Sequence, residues 1–147
     1  MAPKIDFKAR AAALKAEYTL PGISQSVVIT RMAGRTPVPE KESIRSFAAH
    51  QATMVLFLST GMLEKLSEEL VAGGYQEETP AAIVYKATWP EEKVMHCTVG
   101  TLAETAEREK VTKTALIVVG NVLNTEYERS KLYDPAFTTE FRKGKEV

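Results

Sequence analysis

A chain of 147 residues, 44% hydrophobic and 26% charged, is long enough for one compact domain with a sizeable core and too apolar to be disordered. Its 19 basic residues balance 19 acidic ones, which argues against nucleic acid or a membrane surface as partner and requires any anion site to be local. The lone Cys97 excludes an internal disulfide and a cysteine-rich metal site, and no run is long enough to span a bilayer. Met1–Phe7 has no apolar signal core, so the expectation is a cytoplasmic protein.

In chain order, Phe7–Tyr18 is rich in alanine and leucine and predicts a short helix, N-capped by Asp6 and stopped at Pro21-Gly22. Gln25–Met32 is a β-branched run that predicts the first strand. It breaks into a loop through Pro39 marked by Arg31, Gly34, Arg35 and two prolines. Glu40–Gln51 places Ile44, Phe47 and Ala48 at helical spacing, with acidic residues early. Thr53–Ser59 is a continuous apolar run, the pattern of a strand buried on both faces. Thr60-Gly61 then opens a helix with an inward stripe of Leu63, Leu66, Leu70 and Val71, closed by Gly73-Gly74.

Pro80–Lys86 predicts a further strand, followed by the polar loop Ala87–Glu92 that carries the only tryptophan, Trp89. Lys93–Val99 alternates and is expected to pair antiparallel with its neighbour. Thr101–Lys110 predicts a helix with Leu102, Ala103 and Ala106 inward, and Thr114–Val119 a last buried strand closed by Gly120. The polar remainder, Tyr127–Val147, has aromatic residues to dock its first half and a fraying end. The order β-α-β-α-β-β-α-β predicts an α/β fold, a three-layer αβα sandwich on a mixed, mostly parallel sheet of about five strands.

No catalytic constellation stands out. His50 and His96 are isolated, without the spacing of metal ligands, and no metal site is expected. There is no nucleophile elbow, phosphate-binding glycine loop or dinucleotide fingerprint. Glu68-Glu69 and Glu91-Glu92 are adjacent pairs, read most simply as solvated faces, and adjacency does not create the contrasting environments of acid–base chemistry. Three strand ends remain, Leu58-Ser59-Thr60, Tyr85-Lys86-Ala87-Thr88 and Gly120, where small residues let a ligand approach the backbone. Small residues also end strands that bind nothing. Arg31 and Arg35 could fork onto carboxylates or phosphates, or simply keep a connector wet. Bottom-up, the residues describe a cofactor or substrate cleft with a local cationic rim.

Several segments together carry a resemblance. Ser24–Arg31, Gly34–Glu40, Leu56–Thr60, Val84–Glu92, and Ser130-Lys131-Leu132-Tyr133-Asp134-Pro135 with Phe137 resemble the tetrapyrrole methylases. Within that family they are similar to the precorrin-4 and cobalt-precorrin-4 C11-methyltransferases of cobalamin biosynthesis, over about Phe7 to Arg142. Ala11–Leu14 with Glu17–Pro21 resembles the helix and exit turn that link the family's two domains. The glycine-rich and Gly-Asp-Pro segments of the family's amino-terminal domain have no counterpart here. The resemblance therefore implies a carboxy-terminal domain alone, divided into a linker remnant (1–23), an αβα domain (24–126) and a tail (127–147).

It further implies methyl transfer from S-adenosylmethionine to C11 of precorrin-4 or cobalt-precorrin-4, with the cofactor poorly held by this chain alone. Leu58 matches the position whose backbone lines the adenosyl pocket, and Ala87 the small residue at the adenine, with Ser59 and Thr88 beside them. Arg31 and Arg35 fall on the cleft-facing loop, as candidates for the acidic side chains of an anionic tetrapyrrole. In-line displacement from a sulfonium needs positioning and dry packing rather than a protein nucleophile. A wall without its opposite domain would expose apolar surface, so a homodimer is expected, and a folded fragment without turnover is the competing reading.

Overall fold

The computed structural model describes residues 17–86 and 89–124. Five strands form one sheet: β1 (Val27–Thr30), β2 (Thr53–Ser59), β3 (Pro80–Tyr85), β4 (Lys93–Thr98) and β5 (Thr114–Val119). Three α-helices accompany them among the described residues: α1 (Ile44–Ala48), α2 (Leu63–Gly73) and α3 (Leu102–Arg108). The expected helix over Phe7–Tyr18 falls almost wholly outside the described residues, as does the tail Tyr127–Val147.

The spatial order is β1-β2-β5-β3-β4. Only β1 and β2 pair in parallel; β2 with β5, β5 with β3 and β3 with β4 are all antiparallel. The sheet is mixed, as expected, but the expectation of a mostly parallel one is corrected. β1, β2 and β3 do run in one direction, yet β5 enters between β2 and β3 the opposite way. A continuous apolar run reports burial on both faces and says nothing of direction, so the β5 run Ala115–Val119 reads the same either way. The antiparallel β3–β4 pair stands as expected.

The faces of the sheet are covered differently. One packs Met54, Leu56, Ile83, Ile117 and Val119 against Ile44 and Ala48 of α1, Leu63, Leu66 and Leu70 of α2, and Leu102 and Ala106 of α3. The other packs Val55, Ala82, Val84, Leu116 and Val118 against Leu20, Val122 and Leu123, with Tyr18 and Ile23 alongside. Among the described residues all three helices thus lie on one face.

Several boundaries follow local chemistry. The expected helix Glu40–Gln51 splits into a 3-10 turn, Glu40–Glu42, and the five-residue α1. The break falls at Ser43, whose hydroxyl accepts from the Ser46 N–H at 3.1 Å and so caps α1 afresh. α2 ends at Gly74, whose φ of 138° suits glycine. Val71, expected in its inward stripe, is instead exposed, because Leu63, Leu66 and Leu70 already fill the line of contact. No helix among the described residues is long and apolar enough to cross a membrane.

Candidate functional site

Strand direction decides which strand ends meet. β1, β2 and β3 end at one rim of the sheet, where β4 and β5 begin, as the pairs Ser59↔Thr114 and Tyr85↔Lys93 show. This rim gathers the loop after β1, the Ser59–Thr60 turn, and the Lys86–Glu92 loop. Gly120 is not among them. It closes β5 at the opposite rim, where its N–H donates to the Pro80 carbonyl at 3.0 Å. A Cβ on Gly120 would meet the Thr53 Cα at 3.3 Å, so the glycine serves close backbone packing, not ligand access. The antiparallel insertion of β5 is the physical reason for this correction.

Leu58 is buried in the core, with its backbone at the end of β2 paired to Ala115. Ser59 is exposed directly after it. The chain then turns through a 3-10 segment, Thr60–Met62, into α2. At Gly61 an added Cβ would meet only the Ser59 Oγ, at 3.8 Å, so the backbone of this turn is open to a flat ligand. The remaining expected adenine-side residues, Ala87 and Thr88, lie outside the described residues. Lys86, just before them, is exposed, holds φ at +49°, and stands 5.4 Å from the Tyr85 ring.

The two arginines do different work. The Arg31 guanidinium donates to the carbonyls of Thr36 and Pro37, both at 3.3 Å, and ties the loop into a closed bend. Arg35, on the outside of that bend, is exposed and makes no hydrogen bond or ion pair among the described residues. The bend leans on the neighbouring turn, since a Cβ on Gly34 would lie 3.7 Å from the Met62 Cε. On the turn's other flank the Thr60 N–H donates to the Lys113 carbonyl at 2.9 Å. Sequence order gives no hint that Lys113 stands beside Ser59; only the placement of β5 reveals it.

Surface depressions of about 390 Å³ beside Lys93, His96 and Arg108 and about 670 Å³ beside Pro39, Lys41 and Arg45 begin at the edges of this rim, and one of about 490 Å³ beside Ile23, Phe47 and His50 lies at the other end of the sheet. No three of the described His, Cys, Asp and Glu side chains converge to hold a metal ion, and His50 and His96 are both exposed. Cys97 is half-buried against the helical face, and burial pushes its thiol up to about 11, against the smaller opposing effects of Thr105 and Arg108. It is a poor nucleophile there.

Comparison with known proteins identifies relatives of the chain. The family described as Tetrapyrrole (Corrin/Porphyrin) Methylases matches residues 7–103. The chain is 53% identical over 136 residues to the cobalt-precorrin-4 C(11)-methyltransferase of Methanocaldococcus jannaschii, a match covering 92% of this chain and 52% of that protein. It is 44% identical over 140 residues to the enzyme of the same name from Priestia megaterium, covering 92% and 54%. With the precorrin-4 C(11)-methyltransferase of Mycobacterium tuberculosis the identity is 42% over 132 residues, covering 88% and 53%. Among solved structures, the X-ray structure of a cobalamin biosynthetic enzyme, cobalt precorrin-4 methyltransferase, superposes with a TM-score of 0.76 at 43% identity, covering 80% of this chain and 49% of that one. Uroporphyrin-III C-methyl transferase from Thermus thermophilus, complexed with S-adenyl homocysteine, shares the fold, with a TM-score of 0.62 at 22% identity over 87% of this chain and 53% of that one. The chain spans about half the length of the curated relatives it matches.

Proposed function

The chain belongs to the tetrapyrrole (corrin/porphyrin) methylases, and on that premise we propose that it forms one wall of an S-adenosylmethionine-dependent methyltransferase acting at C11 of precorrin-4 or cobalt-precorrin-4. The observation that carries this reading is the identity of 53% along 92% of the chain to a relative named for that reaction. Its boundaries are a linker remnant at 1–23, a domain at 24–126 whose described helices all pack on one face of the sheet in place of the expected αβα layers, and a tail at 127–147. The opposite wall of the cleft comes from polypeptide beyond these residues.

On this reading the backbone at Ser59–Gly61, with Leu58 behind it, would hold the adenosyl part of the cofactor together with Ala87 and Thr88. The fit rests on size and charge. Ser59, Thr60 and Gly61 are small and neutral, and the first carboxylate after them, Glu64, lies in the first turn of α2. When bound, S-adenosylmethionine supplies the electrophilic methyl group. The chain's own part is to position the macrocycle and exclude water, work that calls for no protein nucleophile. Arg35, free on the same rim, would take a carboxylate of the tetrapyrrole, with Arg31 holding the loop that presents it. A cytoplasmic location and a homodimer belong to the same proposal; exposed Ile29 on the outer strand β1 is apolar surface available for burial.

The test is methyl transfer from labelled S-adenosylmethionine to cobalt-precorrin-4, with this chain supplied together with the other half of a relative. Label appearing at C11 only when both halves are present is the expected result. Transfer to a different ring carbon would overturn the positional assignment. The half-length coverage fits a second reading as well, a catalytically incompetent folded fragment that self-associates or needs a partner domain, and absence of label in the mixture would favour self-association without turnover.

A further inference from the structure

We infer that Lys113 is a specificity-determining cation for the anionic macrocycle, facing Arg35 across the Thr60–Met62 turn; the inference rests on the reading of this rim as a tetrapyrrole site. The turn is bracketed. On one flank the arginine loop approaches Met62 through Gly34, and on the other the Lys113 carbonyl accepts from the Thr60 N–H at 2.9 Å. The pairing Ser59↔Thr114 places the following residue directly opposite the last residue of β2. Lys113 is exposed and, among the described residues, has no carboxylate partner.

Placement fits a ligand bearing several carboxylates. β1 and β5 flank β2 on either side, so the chain following β1 and the chain preceding β5 leave the sheet on opposite flanks of the β2 end. Cations on separate flanks suit a macrocycle with acidic arms on several pyrrole rings. The acids nearest in sequence are Glu40 after the arginine loop, Glu64 in the first turn of α2 and Glu109 before Lys113, and among the described residues none of them pairs with Arg35 or Lys113.

Lys113 holds φ at +68°, in the left-handed region that glycine enters more easily, as do Gln51, Lys86 and Lys110 among the described residues. Lys113→Gly should keep or raise the melting temperature while weakening the ligand.

The experiment titrates the purified chain with uroporphyrin, and with its fully esterified form as the uncharged control, following quenching of Trp89, the single tryptophan. Wild type is expected to bind uroporphyrin more tightly than the ester, less so as salt rises. Lys113→Gly and Lys113→Glu should each raise Kd roughly tenfold or more, as for loss of one charge-assisted bond, and Lys113→Arg should restore it. If Arg35→Ala weakens uroporphyrin but neither Lys113 variant does, the inference on Lys113 falls and the reading of the rim stands. If wild type binds acid and ester alike, the carboxylate reading of the rim falls, and Lys113 with it.

Discussion

The guanidinium of Arg31 lies 3.3 Å from two carbonyls of its own loop, whereas that of Arg35 has no acceptor among the described residues. The same charge four positions apart is therefore internal bracing in one case and an open valence in the other. Arg35→Ala should weaken tetrapyrrole binding by roughly 1–3 kcal/mol, the worth of a hydrogen bond to a charged group, without altering amide exchange in the loop. Arg31→Ala should do the reverse first, speeding exchange across residues 33–37, with any loss of binding following from that. Equal binding losses with no change in exchange for either variant would show that the division of labour is wrong. Tyr75 offers a second residue-scale test. Its buried hydroxyl donates to the Ala52 carbonyl, and burial pushes its pKa from 10.0 up to about 12. The neutral phenol is the form the fold favours, so its contribution is intact below about pH 10 and is lost as pH rises from about 10 to 12. Stability should fall by about 2–3 kcal/mol across that window. Tyr75→Phe, which costs about 1–3 kcal/mol at neutral pH by orphaning the Ala52 carbonyl, should flatten the slope. Urea midpoints at a series of pH values measure both.

Between elements, a close approach lies where α1 meets the end of α2. A Cβ on Gly73 would fall well inside van der Waals contact of the Arg45 carbonyl oxygen and 2.5 Å from the Ala48 Cβ. The helices therefore meet backbone to backbone there, and neither Arg45 nor Ala48 can yield without moving α1. Gly73→Ala should destabilise the domain by roughly 1–3 kcal/mol, although alanine is the better helix former by about 1 kcal/mol. Arg45→Ala, which removes only the exposed 3.0 Å pair with Glu69, should change stability by under about 1 kcal/mol. Thermal midpoints that rise for Gly73→Ala would show that propensity outweighs packing at this crossing. The sequence foretold both glycines as a stop but not this contact, because a C-cap is written locally and a helix crossing is not. The same divide runs through the fold. Thr53–Ser59 and Thr114–Val119 match their strands residue for residue, since uninterrupted apolar runs between polar bounds are a local signal. Their mutual direction depends on where the chain returns, which no local pattern records. The same dependence sets Gly120 at the opposite rim and brings Lys113 beside Ser59. Of the site, the residues beside β1 and β2 were legible from charge, size and family resemblance. The division of work between Arg31 and Arg35 was not, since it rests on which guanidinium the loop's own carbonyls capture.

At the scale of the molecule, the rim presents one wall, and the free energy of holding a cofactor can be divided accordingly. A site that binds S-adenosylmethionine in the micromolar range commands about 8 kcal/mol. If one wall supplies about half of the contacts, it retains roughly 4 kcal/mol, which corresponds to a Kd near 1 mM. The true loss is larger than a proportional share, because the open rim leaves water on the side where a closed cleft would strengthen each polar contact. At Gly61 an added Cβ would meet only the Ser59 Oγ among the described residues, which agrees with this estimate. Calorimetric titration of the chain alone should therefore give no saturable heat at micromolar S-adenosylmethionine. Adding the other half of a relative should restore micromolar binding, with the heat appearing at equimolar stoichiometry of the two halves. Saturation at micromolar ligand without the second half would mean that the Leu58–Gly61 wall and the loop after β3 suffice by themselves. The cofactor would then belong to this domain, and the opposite wall would be needed only for the macrocycle.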